Sequence, residues 1–207
     1  MFSKFMNLDK EKQDRILNAA MKEFALKGYD NASTNEIVKE AEISKGLLFH
    51  YFQNKKQLFL FLYDHTIEVL MEKIMERINW DEKDIFVRYR QISMLKIEIY
   101  QVYPEMFNFV KSIYKDTSPA VKMDIDRKAK ELLESSMTKL FSDIDLSKFK
   151  KGIDVKKAIN IINWTVEGFA FQMQEKALSL AWEDIDNMEI MAEMEEYLDI
   201  LRSSLYE

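Results

Sequence analysis

Residues 33–56 read STNEIVKEAEISKGLLFHYFQNKK, and two helix starts lie within them. Ser33 and Thr34 can accept backbone N–H bonds at a helix amino terminus, and Glu36 follows Ser33 by three residues, as in a capping box. Ile37, Val38 and Ala41 then form an apolar stripe. After Glu42 and Ile43, Ser44 offers a second N-cap directly ahead of Lys45. Two short helices separated by about three residues of turn make a helix-turn-helix. On the second helix Leu48 and Phe52 are four apart and can pack inward with Ile37 and Ile43, which turns Lys45, Gly46, Phe49 and His50 outward. A cation, a residue without a side chain and planar rings on one face suit close approach to a nucleic-acid backbone and groove.

Working outward, apolar Ile16, Ala20 and Phe24 recur at helical spacing across residues 9–27, and Gly28 supplies a terminating glycine. Asn54 can cap a helix over residues 55–79, a long element leading away from the helix-turn-helix. Residues 85–103 carry Ile92, Leu95, Ile99 and Val102 on one face until Pro104 forces a restart. A short apolar helix follows, and Ser118-Pro119 opens another. Asp154 caps residues 155–180, which carry two stripes: Ile159, Ile162, Val166, Phe169 and Met173 on one side, Ile161, Trp164, Gly168 and Phe171 on the other. Two stripes imply burial on two sides. Asp186 introduces a last amphipathic helix to about Leu205. The expected fold is all-α with about nine helices.

Composition agrees with this. The 207 residues include 47% hydrophobic residues but only 4 Gly and 2 Pro, enough for a full core and too few for a many-turned sheet protein. The formal net charge of −6 argues against a general polyanion binder. Residues 1–55 carry nine Lys and Arg against eight Asp and Glu, so DNA contact would rest on a few placed lysines and on helix amino termini. The chain has no Cys, which excludes disulfides and thiolate metal sites and fits a reducing compartment. Neither a signal peptide nor a membrane-spanning run is expected, so the protein is expected in the cytoplasm, soluble.

Other chemistry is thinly supported. His50 and His65 are the two histidines, and neither follows a Glu by three residues, as a di-iron bundle requires. Residues 143–147 begin like a calcium loop but lack its Gly and terminal Glu. None of the glycine-rich phosphate loops, nucleophile elbows or zinc-helix motifs occurs. No cofactor or metal is expected.

The run SKGLLFHYFQNKKQLF, residues 44–59, resembles the recognition helix and following linker of the tetracycline-repressor (TetR) family of transcriptional regulators. The resemblance covers roughly the first quarter of the chain, from Arg15 through Phe24, Gly28-Tyr29 and the Ser33-Thr34 cap to Phe59. It implies a helix-turn-helix DNA-binding domain over residues 1–55 and a helical effector-binding and dimerisation domain over residues 56–207. The implied partners are a palindromic double-stranded operator, a second copy of the chain joined through the two carboxy-terminal helices, and a small effector that releases the repressor from DNA.

The residues expected at the DNA are Ser33, Thr34, Asn35, Lys45, Gly46, Leu47, Phe49, His50, Tyr51 and Lys55. Thr34 and Lys55 would touch phosphates, and Lys45, Leu47, His50 and Tyr51 would face or flank the groove. The chain departs from the family pattern at Glu42, where Gly is common and a relaxed turn is expected, and at Phe49, where Tyr is usual. The density of Tyr100, Tyr103, Phe107 and Tyr114, joined by Trp164 and Phe171, points with the resemblance to a lipophilic or aromatic effector, since such pockets are mostly apolar. The alternative is a ligand-binding or enzymatic bundle whose helix-turn-helix only packs.

Overall fold

The computed structural model describes residues 2–115, 118–177 and 186–207. Among them the chain forms ten α-helices and a 3-10 turn, without strands: α1 (Ser3–Met6), α2 (Lys10–Asn31), α3 (Thr34–Glu40), α4 (Lys45–Phe52), α5 (Lys55–Arg77), α6 (Ile85–Val102), α7 (Pro104–Lys115), α8 (Pro119–Leu140), the 3-10 turn Leu146–Lys148, α9 (Val155–Ala177) and α10 (Asn187–Leu205). The all-α architecture and all nine expected helices are present. The expected last turn of α9, residues 178–180, lies outside the described residues.

The caps explain the boundaries. Asn54 Oδ1 accepts from the Gln57 amide at 2.9 Å, Asp154 Oδ1 from Lys157 at 3.2 Å, and Asp186 Oδ1 from Met188 and Glu189 at 2.9 and 3.0 Å. Each removes an orphan donor from a first turn. α6 ends at Val102 and α7 opens at Pro104, where a missing N–H costs nothing. Gly28 takes φ 68° within α2, so regular helix stops there and the chain turns toward α3.

Two elements exceed the expectation. α1 has no side-chain cap and owes its place to Phe5, fully buried with its ring 4.9 Å from that of Phe52 and 5.4 Å from that of Phe61. The 3-10 turn is capped by Asp145, whose carboxylate accepts from the Ser147 amide at 3.0 Å.

By packing, the chain divides into two compact units. The first comprises Met1–Glu72 and Val102–Glu134, the second Lys73–Gln101 and Ser135–Glu207. In the first, α7 and the front of α8 join the amino-terminal helices: Phe24, Phe59 and Phe109 meet edge-on or tilted, with Phe59 5.0 Å from Phe24 and 5.4 Å from Phe109. Met106, Val121 and Ile125 are buried in the same core. Lys56 pairs with Asp124 at 2.7 Å, and Lys128 with Asp64 at 2.7 Å.

The second unit buries Ile85, Phe86 and Tyr89 of α6 against Ala158, Ile162, Phe169 and Met173 of α9 and Met194 and Leu198 of α10. It also buries charge. Arg88, 0% exposed, donates to the Leu140 carbonyl at 2.8 Å and to Asp143 at 2.6 Å, and reaches the Glu82 carbonyl. Asp84, 2% exposed, caps α6 at the Phe86 amide and takes Lys148 at 3.1 Å and Arg202 at 2.8 Å. Hydrogen bonds from Lys83 and Arg88 pull the Asp143 carboxyl down to a pKa of about 2. Residues 143–147 are thus a loop of ion pairs and caps, and no cluster suited to a metal occurs among the described residues. Among them, too, no helix is long and apolar enough to cross a membrane.

Candidate nucleic-acid interface

α3 and α4 stand where the two caps put them. Ser33 Oγ accepts from the Glu36 amide at 3.4 Å and Ser44 Oγ from Leu47 at 3.2 Å. The turn between them is a complete Schellman closure: the Ile43 amide reaches the Val38 carbonyl at 3.0 Å and the Glu42 amide that of Lys39 at 3.2 Å. This geometry puts its C′ residue in the left-handed region, where Gly is usual. Glu42 adopts it with φ 53°. The relaxed turn expected at this position is therefore not found: the two hydrogen bonds and the burial of Ile37 and Ala41, which precede it, hold the strained conformation.

Leu48 and Phe52 are buried with Ile37, as their spacing requires, and Arg15 reaches across from α2 to donate to the Ala41 carbonyl at 2.9 Å. The opposite face of α4 is open. Lys45, Gly46 and His50 are exposed, Phe49 and Leu47 are half-buried, and the Lys45 ammonium lies 6.0 Å from the Phe49 ring centre. Asn35 is exposed at the start of α3, with Ser33 and Thr34 half-buried beside it. These eight residues, from two helix amino termini and one outer face, form the surface that could meet phosphates or base edges.

Tyr51 and Lys55 are placed differently. Tyr51 is 8% exposed, and its ring lies edge-on to Phe5 at 6.0 Å, so most of it serves the packing of α1 on α4. The Lys55 ammonium donates to two carbonyls of its own chain, Asp30 at 3.0 Å and Ala32 at 3.1 Å, over the Tyr29 ring at 4.9 Å. Between α4 and α5, Gln53 takes φ 64° and ψ −53°, and the Asn54 amide closes on the Phe52 carbonyl at 2.7 Å. This is a γ-turn of the rare, strained hand. Nothing in the local sequence marks Asp30 or Gln53, because their roles come from partners far along the chain or from a turn without its usual residue.

Elsewhere, His65 stacks on Phe61 at 5.9 Å, and burial, followed by the Lys10 charge, lowers its pKa. Of the six aromatic residues considered for an effector, Tyr103 and Phe107 belong to the first compact unit and Tyr100 to the second. Tyr114 lies on α7, with its side chain outside the described residues. Trp164 and Phe171 are 66% and 54% exposed on α9, on the same face as exposed Ile161 and Gly168.

Comparison with known proteins agrees with this geometry. Residues 16–62 match the model of bacterial regulatory proteins of the tetR family. The chain is 31% identical over 121 residues to the HTH-type transcriptional regulator QacR of Staphylococcus aureus, covering 54% of this chain and 61% of that protein. It is 24% identical over 170 residues to the fatty acid metabolism regulator protein of Bacillus subtilis, covering 78% and 83%. Against the first curated relatives the chain spans 43% to 61% of their length. Its fold is that of a TetR-family regulator from Chloroflexus aurantiacus, with a TM-score of 0.63 over 99% of this chain and 98% of that one at 21% identity. The family model lies on the helices that form the open α3–α4 face, so residues 16–62 carry the amino-terminal domain of the tetR family of bacterial regulatory proteins, and the chain as a whole shares the fold of solved TetR-family regulators.

Proposed function

We propose that the protein is a ligand-responsive, DNA-binding transcriptional regulator, a homodimeric repressor that reads a palindromic operator with α4 and is released by an apolar effector. The observation that carries this reading is the outer face of α4, where Lys45, Gly46 and His50 are exposed above a helix fixed by Leu48 and Phe52. Exposed donors on a helix seated against its neighbours can enter a major groove. With few cations in the domain, binding is expected to weaken steeply with salt.

A second copy of the chain is the occupant proposed for the outer face of α9 and α10. Ile161, Trp164 and Phe171 on α9 and Tyr197 and Ile200 on α10 are all exposed large apolar side chains. One stripe of α9 fills the core of its own unit, and the other is left for a partner. A two-fold dimer would set its recognition helices about 34–36 Å apart, one turn of DNA.

An apolar effector is supported by the aromatic side chains of α6 and α7 and by the likeness to a protein named for regulating fatty acid metabolism. Tyr103 and Phe107, which both belong to the first compact unit, remain proposed lining residues. Trp164 and Phe171, which sequence alone groups with them, suit the dimer face better because they are exposed.

The test is selection of bound duplexes from a random DNA pool. Enrichment of an inverted repeat, lost with Lys45→Ala, is the expected result. Absence of any enriched sequence would overturn DNA recognition. Long-chain acyl compounds added to the selected complex should then release it, and release by none of a lipophilic panel would remove the effector class.

A further inference from the structure

Lys55 opens α5, immediately after the strained turn that ends the recognition helix, and its ammonium points back into the chain. An ammonium has three donors. Two are directed at the Asp30 carbonyl at the end of α2 and the Ala32 carbonyl just before the α3 cap, and the Tyr29 ring lies 4.9 Å away. One side chain thus ties the end of α2, the entry to α3 and the start of α5. The recognition helix is bracketed, because the chain enters it from α3 and leaves it into α5. The α2–α3 corner is held from a second side by Glu23, which is buried, accepts from the Ser33 amide at 2.8 Å and pairs with Lys27 at 3.0 Å.

Asp30 has a further contact. Its carboxylate accepts from the Ser118 hydroxyl at 2.9 Å, and Ser118, 4% exposed, stands at the cap of α8. The carbonyl and the carboxylate of one residue therefore hold Lys55 and the start of α8. Helix α8 is otherwise fastened to α5 within the same unit by the Lys56–Asp124 and Lys128–Asp64 pairs.

From this geometry we propose that Lys55 is a positioning residue rather than a phosphate contact, clamping the α2–α3 corner to α5 so that the recognition helix is preset, and that Asp30 carries the position of the first turn of α8 into the clamp. This deepens the DNA-binding reading and rests on it for its functional consequence, while the clamp itself can be measured without DNA.

The experiment is amide hydrogen exchange on the DNA-free protein, paired with DNA affinity across a salt series. Lys55→Met retains the stem against Tyr29, so the variant keeps its fold. It should speed exchange at the Ala32 and Ser33 amides roughly tenfold, matching the opening of a local unit, and lower affinity with the salt slope unchanged. Lys55→Arg, which keeps charge and donors, should restore both. A lost phosphate contact would instead lower the slope by about 1, and that fall, whatever the exchange, would overturn the assignment, as would unchanged exchange.

Ser118→Ala should speed exchange at the same amides in the wild-type background and have no further effect beside Lys55→Met. Unchanged exchange, or effects that simply multiply, would overturn the link to α8. If the wild-type protein binds no DNA, the exchange arm still decides the clamp, and only the functional reading fails.

Discussion

The two compact units differ in which charged groups they bury and how much aromatic surface they leave open. The first closes an aromatic core on itself, with Phe5, Phe24, Phe52, Phe59 and Phe109 all buried, and presents polar groups on the outer face of α4. The second seals a full arginine and an aspartate inside while leaving Ile161, Trp164 and Phe171 in solvent. On the proposed reading, the first unit supplies the face that meets DNA, and the exposed apolar face of the second would be covered by another copy of the chain.

Breaking the buried charge tests this contrast most severely. Arg88→Ala removes the donors to Leu140 and Asp143 and takes from the Glu82 carbonyl, in the α5–α6 loop, its Arg88 donor. Leaving a buried acceptor without its donor costs about 1–3 kcal/mol, and the loss should fall in the second unit. Exchange protection across α6 and α9 should collapse while that of α2 persists. Equal loss of protection in both units would show that they do not have separate stabilities.

Trp164→Ala comes next. In a single chain the indole is largely exposed, so truncation should leave the monomer fold intact, but a buried tryptophan at the centre of an interface commonly contributes about 2 kcal/mol or more. The expected outcome is a monomer–dimer equilibrium shifted at least about 30-fold toward monomer by sedimentation. An unchanged equilibrium would assign the face to some other partner.

The fold was legible because its signals are local. Caps at Ser33, Ser44, Asn54, Asp154 and Asp186, the break at Pro104 and the two stripes of α9 lie within a turn or two of what they decide. The missing pieces depend on distant partners. α1 is held by Phe5 on Phe52 and Phe61, and Arg88 sits in an apolar-rich helix with partners more than fifty residues onward. The candidate site divides in the same way. Exposure of Lys45, Gly46 and His50 follows from helical spacing, whereas the internal partners of Lys55 and the burial of Tyr51 depend on α1 and the end of α2, which spacing within α4 cannot reveal.

Acid should separate the units further. The Asp143 carboxyl is held near 2 by hydrogen bonds from Lys83 and Arg88, below its ordinary 3.8. A depressed carboxylate pKa contributes stability that is complete above the unfolded-state value and fades as pH falls through the folded one. The second unit should therefore lose stability between about pH 4 and pH 2, and Asp143→Asn should lessen that dependence. An identical acid transition in the variant would show that Asp143 does not govern it.

The smallest expected effect lies in the first unit, at the strained turn. Glu42 occupies the C′ position of a Schellman closure with φ 53°, a conformation that costs a residue with a β-carbon about 1–2 kcal/mol. Glycine relieves that strain but gives back roughly 0.4–1 kcal/mol through the greater freedom of the unfolded chain. Glu42→Gly should thus stabilise the first unit by about 0.5–1 kcal/mol, with the second unit unaffected. The control is Glu42→Ala, which removes the charge and keeps the β-carbon. If alanine stabilises as much as glycine, the penalty is electrostatic, arising from a carboxylate near the carboxy-terminal end of α3, where negative charge is disfavoured. If glycine alone stabilises, the penalty is steric, and the turn keeps its left-handed geometry because the Ile43–Val38 and Glu42–Lys39 hydrogen bonds outweigh it.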